Sequence, residues 1–264
     1  MLFKAGFIGC GNMGGALARA AARAVGGVNI AVYDMDDSKT ALLCTECRTL
    51  CVEPCELIAN SEFVFLGIKP QFMYDAVNPL VEMINSSKCV VVTMAAGLEI
   101  TYYEEVLGIT RPIIRIMPNT PCSVGYGVIL YAFNDLVTIS AVESFKMLMS
   151  EAGLLDRLTE KLIDAGSAVS GCGPAFAFIF AEALADAGVE CGLPRDKALK
   201  YAAQMLKGSA ELLLQNGNPG VLKDNVCSPG GTTIAGVHAL EDSGFRAAAM
   251  NAVVAAYKRT LELN

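Results

Sequence analysis

Two short stretches combine residue types and spacings suited to binding anions. The first is Ser228-Pro-Gly-Gly-Thr-Thr233, inside Val221 to Gly236 (VLKDNVCSPGGTTIAG), a polar interruption in an alanine-rich helical region. It reads in two ways. Pro229, Gly230 and Gly231 continue a helix poorly, so the stretch is a plain turn between helices. Alternatively a helix starts here, with Ser228 as N-cap, Pro229 at the first helical position, and Ile234, Val237 and Leu240 as its apolar period. On that reading the N–H groups from Gly230 to Thr233 have no intrahelical acceptors and sit at the positive end of the helix dipole. The glycines leave room for close approach, and the turn holds a carboxylate or a phosphate.

The second stretch is Gly9-Cys-Gly11-Asn-Met-Gly14, between the apolar run Ala5 to Ile8 and the helical run Gly15 to Val25. A G-x-G-x-x-G alone is weak evidence, but between a strand and a helix it has the context of a dinucleotide-binding turn. Gly9 permits the tight turn, Gly11 lets a pyrophosphate approach the backbone, and Gly14 lets helix pack on strand. Asn12 and Met13 complete the cofactor-binding candidates of this loop. Asp34 ends the second strand twenty residues after Gly14. There a carboxylate accepts hydrogen bonds from an adenosine ribose diol and repels a 2′-phosphate, which favours NADH over NADPH. The following residues offer no arginine for such a phosphate, only Lys39. The competing reading is a Rossmann-like turn without cofactor.

Other strand ends present small or polar groups where a ligand at the carboxyl edge meets them. Gly67-Ile68-Lys69-Pro70 closes the fourth strand, Ala95-Ala96-Gly97 the fifth, and Met117-Pro-Asn-Thr-Pro121 the sixth. The Ala-Ala-Gly turn suits a flat nicotinamide or ribose. Lys69 is a solvated strand-end charge or, with its turn set by Pro70, a cation placed for a ligand anion.

The elements that must position these residues follow from periodicity. Apolar runs at Ala5 to Ile8, Ile30 to Tyr33, Leu50 to Val52, Phe63 to Leu66, Cys89 to Met94 and Ile113 to Met117 alternate with helical patterns such as Asp37 to Cys47. That alternation predicts an α/β fold with a parallel, doubly wound sheet. After Thr159 the pattern turns helical: Ala168 to Cys191, Pro194 to Gln215, Gly230 to Leu240 and Gly244 to Leu263. The predicted division is a dinucleotide-binding domain over 1–159 and a helical domain over 160–264. Alanine and glycine crowd the helical half, as in AEALADAG and AAAMNAVVAA, and faces of small residues with little separate core point to interlocked subunits, hence a homo-oligomer.

The 264 residues suffice for two modest domains, and a net charge of −7 argues against nucleic-acid or anionic-membrane surfaces. MLFKAGFIGCGNMGG runs straight into strand and turn, so no signal peptide is expected; with ten cysteines, a reduced, cytoplasmic protein is the natural reading. The mean hydropathy of +0.45 raises the membrane question. The best candidate, Cys172 to Leu193, carries Glu182, Asp186 and Glu190 as one acidic stripe, which is costly in hydrocarbon and predicts a helix with a solvated or interfacial face. Cys44, Cys47, Cys51 and Cys55 lack a second C-x2-C pair and span a helix-to-strand change, so no metal is expected. His238 is expected as a packed or capped helical residue.

The motifs GFIGCGNMGGAL, FLGIKP, MAAG, RIMPNTP, SGCGPAF, GLPRDKA and above all NPGVLKDNVCSPGGTTIAG together resemble the pyrroline-5-carboxylate reductase family over essentially the whole chain. The first motif is shared with 6-phosphogluconate and β-hydroxyacid dehydrogenases; the last is the family's own signature. The resemblance implies a Rossmann-like N-terminal domain followed by an all-α oligomerisation domain of the 6-phosphogluconate dehydrogenase C-terminal type. It implies reduction of the ring C=N of 1-pyrroline-5-carboxylate by hydride from NADH or NADPH, the final step of proline biosynthesis. It also implies a substrate carboxylate at Ser228, Gly230, Gly231, Thr232 and Thr233, with Thr233 beside the ring nitrogen. Asn225 is implied near the nicotinamide end, usually from the neighbouring subunit, in interlocked homodimers that often assemble five to a decamer. Thr233 and Lys69 are the catalytic candidates. The chain departs from the family pattern at Cys172, where serine or threonine is common, and at Gly67, where alanine is usual. Two alternatives stay open. A β-hydroxyacid dehydrogenase needs a lysine on the first long helix of the second half, and Ala168 to Cys191 has none. A non-catalytic nucleotide sensor has no need of the polar loop.

Overall fold

The computed structural model describes residues 2–108 and 110–262. Its strands are β1 (Phe3–Ile8), β2 (Ile30–Tyr33), β3 (Leu50–Cys51), β4 (Ser61–Leu66), β5 (Val90–Thr93), β6 (Ile113–Pro118), β7 (Gly127–Phe133) and β8 (Gly153–Arg157). They form one sheet in the order β3-β2-β1-β4-β5-β6-β7-β8. From β3 to β6 neighbouring strands are parallel; β7 then runs antiparallel to β6, and β8 parallel to β7. The sheet is therefore mixed at one edge, where the sequence predicted parallel strands only. The helices on this sheet are α1 (Asn12–Val25), α2 (Asp37–Cys47), α3 (Pro54–Asn60), α4 (Met73–Val77), α5 (Val81–Ser86), α6 (Ile100–Leu107), α7 (Ile139–Leu148) and α8 (Glu160–Ser170).

The strands are continuous apolar runs because both sheet faces are covered. Alternate residues divide between two cores: Phe7, Phe63, Phe65, Ile114 and Ile116 pack with α1 and α7 on one face, and Val64, Leu66, Val91, Ile113 and Met117 pack with α6 and α8 on the other. Each such side chain contributes about 1.5–3 kcal/mol on burial. Helix α1 presents Ala16, Ala18, Ala20, Ala21 and Ala22 to the protein interior, so its backbone lies close to the sheet.

The chain divides into two compact units: the residues up to Cys172 together with the chain from Ala256 onward, and Gly173–Ala255. The second unit holds α9 (Gly173–Glu190), α10 (Arg195–Asn216), α11 (Pro219–Val226), α12 (Thr232–Asp242) and most of α13 (Phe245–Leu261). The helix expected over Ala168 to Cys191 is thus broken. The N–H groups of Gly171 and Cys172 both turn back to Ser167 O, at 2.7 and 3.1 Å, which ends α8 before α9 begins. The last helix was expected to reach Leu263, which lies outside the described residues.

Small residues bring α9 and α10 together: a Cβ on Gly188 would stand 3.0 Å from Ala198 Cβ. The core of this unit is thin. Ala185, Ala198 and Ala202 are its buried apolar residues, whereas Phe178, Ile179, Leu214 and Met250 are each about two-thirds exposed or more, at 68, 66, 79 and 66%. So many large apolar side chains left exposed on one small unit suit a surface that is covered by a partner. By length and composition alone, Glu160–Glu190 is apolar enough to cross a membrane. Glu182, Asp186 and Glu190 are exposed along it, and Asp186 pairs with Arg195.

Candidate functional site

In the first unit the glycine turn is built by backbone crossing. Gly9 sits at φ +94°, open to glycine, and its N–H donates to Tyr33 O at 2.8 Å. A Cβ on Gly14 would lie 2.0 Å from Gly9 O, and one on Gly67 would lie 2.3 Å from the same oxygen. Gly9, Gly14 and Gly67 are therefore brought together as one close approach of strand, strand and helix. Gly67, where the resemblance led us to expect alanine, is here part of that packing. Gly11 differs: a Cβ there would meet nothing within 4 Å. It is the N-cap of α1 and makes no side-chain cap bond, so the helix start is open to an anion. A surface cavity of about 490 Å³ opens beside it, lined by Gly11, Asn12, Met13, Arg19, Lys39 and Thr120 among others. This open turn fits a dinucleotide pyrophosphate.

Asp34 is tied down. Its Oδ2 accepts from Cys10 N–H at 2.7 Å, and its Oδ1 accepts from Asp36 N–H at 2.9 Å and from Lys39 Nζ at 3.2 Å. Partial burial opposes the charged form, but those N–H donors and the ammonium outweigh it and hold the carboxyl below the ordinary aspartate range. Lys39 is thus already engaged by the carboxylate, and Arg19, held by Glu46 at 2.7 Å, adds a second cation to the cavity wall. Burial first, and the Asp34 charge second, push the Cys10 thiol up to about 12. Cys10 is therefore expected to resist iodoacetamide in the native protein at about pH 8, while the exposed Cys51, Cys55 and Cys191 alkylate. Peptide mass spectrometry finding Cys10 labelled before unfolding would refute this.

Ile68 is half-buried, and Lys69 and Pro70 are exposed past the end of β4, where Lys69 O accepts from Phe72 N–H at 3.0 Å. Past β5, Ala95 is buried, Ala96 exposed, and Gly97 turns at φ +78°. Asn119, past β6, is buried and engaged at both ends of its amide: Nδ2 donates to Ser170 O at 2.9 Å, and Oδ1 accepts from Val128 N–H at 2.8 Å. It joins β6, β7 and the end of α8. RIMPNTP marked this strand end, but nothing local in it announced partners far along the chain.

In the second unit the Ser228 motif departs from its predicted form. Ser228 is not an N-cap and Pro229 is not the first helical residue. Ser228 O accepts from Gly231 N–H at 3.0 Å, closing a β-turn with Pro229 and Gly230 in its centre. Gly230 stands at φ +67°, which excludes helix at that point. Gly231 is the N-cap, and α12 starts at Thr232. The Gly231 N–H is consequently spent on the turn, and the donors left without intrahelical acceptors are those of Thr232, Thr233 and Ile234. A Cβ on Gly231 would stand 2.3 Å from Ser228 Oγ, so the hydroxyl lies directly over the helix start. Hydroxyls and free N–H groups together suit a carboxylate. The preceding VLKDNV is also not loop: it belongs to α11, capped by the Asn218 side chain, with Asn225 exposed in its last turn.

His238 is neither packed nor capping. It is exposed on α12, with Nε2 3.1 Å from Asp242 Oδ2. Among the described residues, no three histidine, cysteine or acidic side chains group as metal ligands. Helix α9 carries no lysine.

Residues 160–263 match the family described as pyrroline-5-carboxylate reductase dimerisation, and residues 4–97 match NADP oxidoreductase, coenzyme F420-dependent. The chain is 40% identical to a pyrroline-5-carboxylate reductase of Arabidopsis thaliana over 99% of its own length and 96% of the relative's. It is 38% identical to that of Escherichia coli K12, over 99% and 98%. Among solved structures, the Plasmodium falciparum pyrroline carboxylate reductase with NADP bound aligns with a TM-score of 0.88 at 32% identity, over 99% of this chain and 98% of that one.

Proposed function

The chain belongs to the pyrroline-5-carboxylate reductase family, and from that premise we propose which of its residues perform the reaction. The enzyme reduces 1-pyrroline-5-carboxylate to L-proline, using a nicotinamide cofactor, and oligomerises. In our reading the division of labour follows 1–159 for the dinucleotide and 160–264 for dimerisation and substrate. The observation that carries it is the Ser228 turn, whose helix start offers unspent N–H groups and hydroxyls to a carboxylate.

A bound reduced nicotinamide supplies the hydride. The chain's own tasks are to hold the imino acid's carboxylate, orient the ring, and keep a proton near its nitrogen, because protonation draws hydride to the imine carbon. Ser228, Gly230, Thr232 and Thr233 take the carboxylate, and Gly231, whose N–H is spent on the turn, lines its approach without a side chain. The Thr233 hydroxyl has too high an intrinsic pKa to act as a free acid, so it hydrogen-bonds at nitrogen and relays a proton from water. Gly9, Gly11, Asn12, Met13 and Gly14 cradle the pyrophosphate. Gly67, Ile68, Lys69 and Pro70, with Ala95, Ala96 and Gly97, line the remaining strand edge, Lys69 placing a cation beside the reacting groups. Asn225 reaches the nicotinamide end from a neighbouring subunit. The exposed apolar helices of Gly173–Ala255 support a homodimer, assembled five times in a decamer. Ten free thiols support a cytoplasmic setting.

Asp34 favours NADH slightly, while Lys39 and Arg19 keep NADPH acceptable. Purified protein mixed with pyrroline-5-carboxylate and each reduced nicotinamide, followed by absorbance, tests reaction and cofactor together. Asp34→Ser is expected to raise the KM for NADH by about fivefold and to move the NADPH value less than about twofold. An unchanged ratio removes the ribose argument, and no turnover with either cofactor removes the functional reading.

A further inference from the structure

The turn Ala95-Ala96-Gly97 is held at both ends by groups from outside it. At its start, Thr93 is buried and its hydroxyl donates to the buried Tyr103 hydroxyl of α6. At its far end α6 begins at Ile100, and Glu99, the N-cap residue, makes no side-chain cap bond. The acceptor comes instead from sixty residues away: Glu160 Oε1, at the start of α8, takes the Ile100 N–H at 2.7 Å. The same oxygen accepts from Arg115 Nη1 at 3.2 Å, while Arg115 Nη2 reaches Asp164 Oδ1 at 2.8 Å. Arg115 is 1% exposed and lies on β6 in register with Thr93 of β5. One ionic network therefore links β6, the helix after the turn, and α8, while the Thr93–Tyr103 hydrogen bond ties the strand before the turn to the same helix.

We propose that Glu160 is a positioning residue for the cofactor: it caps α6 across the fold, Arg115 fixes its carboxylate, and the cap holds the Ala95–Gly97 turn in the shape that meets the dinucleotide. A helix N-terminus without its acceptor frays in the first turn, and here fraying reaches the turn at once, since only Leu98 and Glu99 separate Gly97 from Ile100. A glutamine keeps the acceptor for the N–H and loses the charge toward Arg115, whereas an alanine loses both.

The inference rests on the assignment of Ala95–Gly97 to the cofactor, so the test includes a change in the turn itself. Dissociation constants for NADPH and NADH are measured by nucleotide fluorescence on the oligomer, alongside kcat, the KM for pyrroline-5-carboxylate and the melting midpoint. Glu160→Ala is expected to weaken nucleotide binding about fivefold, with the imino-acid KM within about twofold of the parent, and Glu160→Gln to recover most of the loss. Ala96→Leu, at an exposed position, weakens nucleotide binding without a matching fall in the melting midpoint. If Ala96→Leu binds nucleotide normally, the assignment of the turn fails. If Ala96→Leu weakens binding but Glu160→Ala does not, the positioning role alone is overturned. It is overturned as well if Glu160→Gln is no better than Glu160→Ala.

Discussion

Thr233→Val is expected to lower kcat for imine reduction by about 30- to 100-fold while leaving nucleotide binding within about twofold of the parent. The swap keeps shape and removes the hydroxyl. Thr233 is the second residue of α12 and exposed in the single chain, so little packing is lost with the change. What is lost is the only part of that side chain able to hydrogen-bond the ring nitrogen. The backbone N–H groups proposed to receive the carboxylate are untouched, which places the effect in kcat more than in KM. Thr233→Ser, which restores the hydroxyl, is expected to recover most of the rate. Steady-state absorbance assays with both substrates varied check this, with fluorescence titration for the nucleotide. An unchanged kcat in Thr233→Val would remove this residue from the reaction.

Arg115→Met is expected to cost about 3–5 kcal/mol of stability, seen as a fall in the melting midpoint of about 10 °C. Arg115 is 1% exposed on the sheet face that carries α6 and α8. Its guanidinium answers Glu160 at 3.2 Å and Asp164 at 2.8 Å, and the Asp164 side chain is 9% exposed. Removing the cation leaves both carboxylates without it, one of them in the protein interior, and that penalty exceeds what the methionine regains by packing. Arg115→Met combined with Asp164→Leu, which takes away the more deeply buried charge, is expected to recover part of the loss. Thermal unfolding followed by circular dichroism decides it: a midpoint within about 2 °C of the parent for Arg115→Met would mean that the network carries no net stability. Loss of the guanidinium also unpins Glu160, so weaker nucleotide binding accompanies the stability loss in Arg115→Met.

Much of the architecture was legible because it is written in short-range patterns. Strand β2 and helix α2 fall on the predicted residues, since an apolar run bounded by Asp34 and a helical pattern opening at Asp37 are local signals. Strand β8 was not legible: Gly153–Arg157 is an edge strand whose exposed and half-buried residues leave no apolar run to see. Strand β7 is apolar enough, but its antiparallel direction follows from the tight 3-10 turn at Thr120–Val124 returning the chain beside β6. The Ser228 motif was recognised for its composition and misread in its geometry, because Pro229 and Gly230 suit a β-turn as well as they suit a helix start. The partners of Asn119, Glu160 and Arg115 were hidden for a different reason: each lies between nine and sixty residues away.

By itself, the sequence determined the kinds of group this protein has and their order along the chain: the glycine turn after β1, the acidic end of β2, and the Ser-Pro-Gly-Gly-Thr-Thr segment that sets its family. Those depend on backbone freedom, apolar period and side-chain chemistry, all properties of a few consecutive residues. Tertiary structure alone decided which groups are already spent. Asp34 Oδ2 is taken by the Cys10 N–H, Asn119 Nδ2 goes to Ser170 O, and the cap of α6 is lent by Glu160 from α8. Hydrogen-bond donors and charges are used up by whatever packing brings within about 3 Å, and that distance bears no relation to separation along the chain.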